Sequence, residues 1–134
     1  MHNEPILKNR PLPDGAAEIA DRMTADGEKI LFAIVGDLRL TGRYAGTALL
    51  FTKESVVCYD GVPGESRRLR FSDMREVTSK RMYGNATLSA VMPDGKREIF
   101  FRYTYAVAAL CDAAALFINH VRDGGSLNEE LAVM

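Results

Sequence analysis

What this chain is short of narrows its chemistry first. It holds two histidines and two cysteines in 134 residues. His2 precedes the first proline and His120 stands near the end of a helical stretch, with no second His, Cys or carboxylate at ligand spacing, so no metal site is expected. Cys58 and Cys111 lack a CxxC partner and read as buried free thiols in a reducing compartment. As a nucleophile Cys58 would need a base, and His120 belongs to the far end of the helix. Neither charge sign dominates: 17 Lys and Arg against 18 Asp and Glu give a formal net charge of −1, so no global field draws the chain to nucleic acid or an anionic membrane. No apolar stretch approaches the ~20 residues that span a bilayer. The longest, 106–111, is short and Ala-rich. The first five residues have no basic segment leading into an apolar one, so they are no signal peptide and a cytoplasmic location is expected. A Gly-x-x-x-x-Gly-Lys-Ser/Thr loop is missing too. Together these absences argue against an enzyme and against any cofactor.

What is present reads as one domain of ordinary composition, 47% hydrophobic and 26% charged. Residues 1–28 form an arm with a short helix, 29–124 the folded body, and 125–134 a tail or the start of a linker. Pro5, Pro11 and Pro13 keep 1–13 irregular. Asp14 is the expected N-cap of a helix over 15–24, with Ile19 and Met23 turned inward. The run 29–35 is apolar on both faces, as a central strand is, and 36–42 reads as a polar connection. A strand over 43–52, with Gly46 as a bulge or close-approach position, turns tightly into another at 55–59. After the loop 60–64, residues 68–71 alternate with Leu69 and Phe71 inward. A turn at 72–74 leads to a strand over 75–82, and 86–92 pairs with 97–102 across Pro93-Asp94-Gly95.

One amphipathic helix, 104–123, ends the folded part, with Thr104 as N-cap and Gly124-Gly125 as the stop. Val107, Leu110, Ala114, Phe117 and Val121 recur at helical spacing, Cys111 and Ile118 widen the stripe, and Asp112, Asn119, Arg122 and Asp123 take the other side. The fold class is therefore mainly β with α: a seven-stranded bent sheet or partly open barrel capped by one C-terminal helix.

Seven strands closed by a C-terminal helix is the plan of pleckstrin-homology-like domains. Within it, Asp26-Gly27-Glu28-Lys29-Ile30-Leu31, Asp37-Leu38, Gly42-Arg43-Tyr44, Leu49-Leu50-Phe51-Thr52 and Leu69-Arg70-Phe71-Ser72-Asp73-Met74-Arg75-Glu76-Val77 resemble the PH-like domain that precedes the membrane and nucleotide-binding parts of certain bacterial ABC exporters. The resemblance covers residues 26–123 and departs at Thr47-Ala48, where members often carry a tryptophan; this chain has none. It implies a regulatory or docking role without transport or ATP hydrolysis, as an excised N-terminal domain or a free-standing relative. The implied partners are the rest of a transporter polypeptide, a second copy of the domain or the membrane surface, and no nucleic acid.

The candidate ligand-binding residues are Arg67, Arg68 and Arg70 on one strand and Lys80 and Arg81 near the next connection. If adjacent, they would hold a phosphate or an acidic peptide by charge-assisted hydrogen bonds. That gives a second expectation, a free-standing peripheral module for anionic lipid headgroups or phosphorylated or peptide ligands; the plainer one is a solvated outward face. Phosphoinositide-binding members use a basic signature at the first hairpin, where this chain offers only Arg39 and Arg43 beside Asp37. The edges 79–82 and 67–71 are candidates for accepting a peptide strand or a second copy.

Overall fold

The computed structural model describes residues 6–124. The expected tail, 125–134, and His2 lie outside the described residues.

After a two-residue strand β1 (Leu7–Lys8) and a helix α1 (Asp14–Ala25), strands β2 (Phe32–Leu38), β3 (Tyr44–Phe51), β4 (Ser55–Tyr59) and β5 (Arg67–Arg70) form one antiparallel meander. A 3-10 turn (Phe71–Asp73) leads to a second meander of β6 (Arg75–Arg81), β7 (Ala86–Val91) and β8 (Arg97–Tyr103). A second 3-10 turn (Tyr105–Val107) precedes the closing helix α2 (Ala108–Arg122). The strand order is β5-β4-β3-β2-β8-β7-β6, with β1 parallel to β2. The two halves meet at the register pair Leu38↔Arg102, and α2 packs on one side of the open sheet they form.

Between them lies one continuous core. Phe32, Ile34, Leu49, Phe51, Val56, Leu69, Leu88, Phe101 and Tyr103 point inward from the strands and meet Cys111, Ala114, Phe117 and Ile118 of α2. Phe117 is its hub, edge-on to Phe32 at 5.1 Å, Phe71 at 5.9 Å and Phe51 at 6.1 Å. A register shift between Leu88 and Ser89 of β7 lets the neighbouring Phe100 and Phe101 of β8 both enter the core, which strict alternation forbids.

The other side of β2–β4 is covered as well, which explains why 29–35 is apolar on both faces. Ala16, Ile19, Ala20 and Met23 of α1 pack on Ala33, Ala48, Leu50, Val57 and Tyr59. Burying the larger of these contributes about 1.5–3 kcal/mol per side chain. Two glycines permit the approach. A Cβ at Gly15 would lie 2.2 Å from the Tyr59 hydroxyl, and one at Gly46 would lie 3.0 Å from the Pro13 ring.

Several boundaries differ from the sequence expectation. α1 begins at Asp14, with Pro13 at the cap position; its ring carries no acceptor for a side-chain cap bond, and its fixed φ of −56° sets the entry angle. Thr104 does not cap α2; its hydroxyl donates to the Asp37 carboxylate at 3.0 and 3.2 Å, and the 3-10 turn intervenes. β2 runs on through Leu38, taking part of the expected connection. Residues 7–8 pair as a strand although prolines surround them. The polar side of α2 does not face water throughout: Asp112 accepts from the Ser79 hydroxyl at 2.6 Å, and Asn119 lies against β6. Among the described residues, no helix is long and apolar enough to cross a membrane.

Candidate functional site

Three of the five candidate cations go to separate acidic partners. On β5, Arg67 and Leu69 share the inner side while Arg68 and Arg70 point out. Arg67 pairs with Glu98 of β8, which holds its guanidinium more firmly protonated, the hydrogen bond to Glu98 being the main cause. Arg68 grips both oxygens of Glu28, just after α1, at 2.7 Å each and donates to the Ser55 hydroxyl at 2.9 Å. Arg81, on β6, lies 3.9 Å from Asp112 and stacks over the Tyr105 ring at 5.4 Å. Arg70 and Lys80 are exposed, with no ion pair among the described residues. The strands that carry them, β5 and β6, are the two ends of the strand order.

At the first hairpin Arg39 is likewise engaged: its Nε donates to the Asp60 carbonyl at 2.9 Å and lies 3.5 Å from the carboxylate. With Tyr59, Val62, Arg67 and Phe100 it lines a cleft of about 190 Å3 that Cys58 also borders. Burial pushes the Cys58 thiol up from 9.0 to about 12, against the pull of Arg67 beside it, so the sulfur stays protonated at neutral pH. The Cys111 thiol is raised too, chiefly by burial. Among the described residues this cleft holds no histidine, and no three His, Cys, Asp or Glu side chains group to hold a metal. A second cleft, of about 360 Å3, lies between the β3–β4 turn and α2, lined by Lys53, Glu54, Arg70, Ser72 and Arg122.

A third feature escaped the sequence analysis. At the turn between β6 and β7, Met82 donates its N–H to the Asn85 carbonyl at 2.7 Å, and Gly84 takes φ +82°. Tyr83 is fully exposed there (104% relative accessibility), and Met82, Tyr105 and Leu40 are 42%, 46% and 37% exposed. Arg102 ties them together, donating to the Leu40 carbonyl at 3.0 Å and the Asn85 side chain at 2.7 Å, while the Tyr105 hydroxyl donates to the Met82 carbonyl. The signal was present in the sequence: in Lys80-Arg81-Met82-Tyr83-Gly84-Asn85 a turn spends two positions on large side chains where small polar residues are usual.

No protein-family model matches this chain, and no curated protein matches it.

Proposed function

We propose that the chain is a PH-like, non-enzymatic docking domain that serves a bacterial ABC-type exporter as an accessory or regulatory module. The observation that carries the proposal is the strand order. A four-stranded meander, β2 to β5, and a three-stranded one, β6 to β8, meet through their first and last strands, and a single C-terminal helix closes one side. That order supports the PH-like plan, and the segments that resemble the exporter domain supply strand and turn positions. Leu49-Leu50-Phe51-Thr52 runs from β3 into its turn, and Leu69 to Val77 carries the chain from β5 through the 3-10 turn into β6. Such a body works by presenting surface: its cations are individually compensated or solvated, and its thiols are held protonated.

Native size and location test the exporter role. An antibody raised to residues 29–123 is applied to separated membrane and soluble fractions of the source cells. A membrane-bound band several times larger than 14.8 kDa is the expected result. A soluble band at 14.8 kDa overturns the exporter role.

A further inference from the structure

We propose that the 82–85 turn, with Tyr105, Leu40 and the cations Lys80, Arg81 and Arg102 around it, seats the domain on an anionic bilayer. The proposal deepens the docking role above and rests on it for the existence of a docking face.

Scattered exposed apolar side chains are normal on soluble proteins. Here four of the eight large hydrophobic side chains exposed among the described residues, Leu40, Met82, Tyr83 and Tyr105, gather at one place. The tip is braced: the Met82–Asn85 backbone bond, the Asn85 side chain on the Tyr83 carbonyl at 3.3 Å, and the anchors from Arg102 and Tyr105 hold it from several sides. A braced turn that holds a whole phenol ring in solvent gains nothing within the fold from that ring. Tyrosine suits the boundary between headgroups and acyl chains, with its ring in the apolar layer and its hydroxyl among polar groups.

The charge around the tip is complementary to anionic headgroups. Residues 80–86 contain two cations and no carboxylate. Arg102 has no carboxylate partner among the described residues and is held by neutral carbonyl oxygens, so its charge is not cancelled. Asp112, 3.9 Å from Arg81, offsets much of that charge, so Lys80 and Arg102 carry most of the positive field. Shape also favours a bilayer over a folded partner. One fully and three partly exposed side chains around a turn fall well short of the roughly 800 Å2 that each side of a stable protein interface contributes. They are enough for shallow insertion helped by charge. With a net charge of −1 on the whole chain, attachment depends on this local patch and weakens as salt screens it.

The test uses the full chain with vesicles of phosphatidylcholine alone and of equal parts phosphatidylcholine and phosphatidylglycerol. Sedimentation with the anionic vesicles only, falling as salt is raised, is expected. A Tyr83→Ser, Lys80→Ala double variant should lower the partition coefficient by about tenfold, one cation accounting for roughly fivefold of it. An Arg67→Ala, Arg70→Ala double variant should leave partition unchanged. The altered tip positions are exposed, and a thermal melt by circular dichroism checks that the fold is kept. Because the chain has no tryptophan, Tyr83→Trp places a single reporter at the tip, and its emission should shift to the blue on anionic vesicles only.

Failure of the wild-type chain to sediment with either vesicle overturns the proposal. So does an unchanged partition of the tip variant, or emission from the Tyr83→Trp variant that is indifferent to vesicles that bind the chain. If vesicles are not bound while the antibody finds a large membrane-bound band, docking stands and this surface is wrong. If the tip binds and the native band is soluble at 14.8 kDa, the exporter role fails and the surface stands.

Discussion

Among the described residues, two asparagines stand in for backbone. The Asn9 side chain accepts from the Val35 N–H at 2.8 Å and donates to the Val35 carbonyl at 3.1 Å, continuing β1 along β2. Asn119 does the same for Val77, at 3.1 and 2.9 Å, where β6 bulges at Glu76 with φ +47° and Arg97 holds the Glu76 carbonyl. A side-chain amide carries the donor and acceptor of a peptide group, so each residue satisfies a strand edge that its partner strand does not reach. Asn119→Leu leaves both Val77 groups unpaired, and urea denaturation should show a loss of about 1–3 kcal/mol for each one shut off from water. Helical periodicity assigned Asn119 to the polar side of its helix and had no means of showing that this side meets a strand. The thiols give a second prediction. The folded state favours neutral Cys58, so its contribution is intact below pH 9.0 and lost as pH rises toward about 12. The urea midpoint should hold to about pH 9 and fall beyond it, with part of the fall absent in Cys58→Ala.

The two helices cover opposite sides of the sheet and should fail differently. α2 supplies the core hub, so Phe117→Asp should abolish cooperative unfolding, while Phe117→Ala should cost about 3–5 kcal/mol in the same titration. α1 covers the opposite side of the first meander. Gly15→Ala drives a methyl group into Tyr59, and it should strip hydrogen-exchange protection from residues 14–25 before β7 and β8 lose theirs. The strands and α2 were legible in sequence because hairpin turns and helical stripes are local signals. The joining of β2 to β8 was not, since a pair between Leu38 and Arg102 leaves no mark near either residue. Residues 7–8 were misread because proline constrains only its own position and the residue before it, and extended backbone stays open to β1 between them. The cluster of arginines on β5 was visible, but its partners Glu98 and Glu28 lie on other elements and could not be read beside it.

Taken whole, the molecule is two locally wired meanders held together by a narrow join and by a helix on one side. Neighbouring strands within each half are neighbours in sequence, which favours rapid local pairing. Hydrogen exchange should therefore show the two halves protected as blocks, with the weakest strand amides where β2 leaves β8. Synthesis proceeds from the N-terminus, so α2 is the last of the described elements to appear, and Phe117 comes 46 residues after Phe71. At ribosomal rates that interval is roughly 2 to 9 seconds. Throughout it, the aromatic rings of β2, β3 and the first 3-10 turn wait without the side chain they are arranged to receive. The same helix that completes the core thus sets a timetable: until it emerges, the newborn chain is a client for anything that binds exposed phenylalanine.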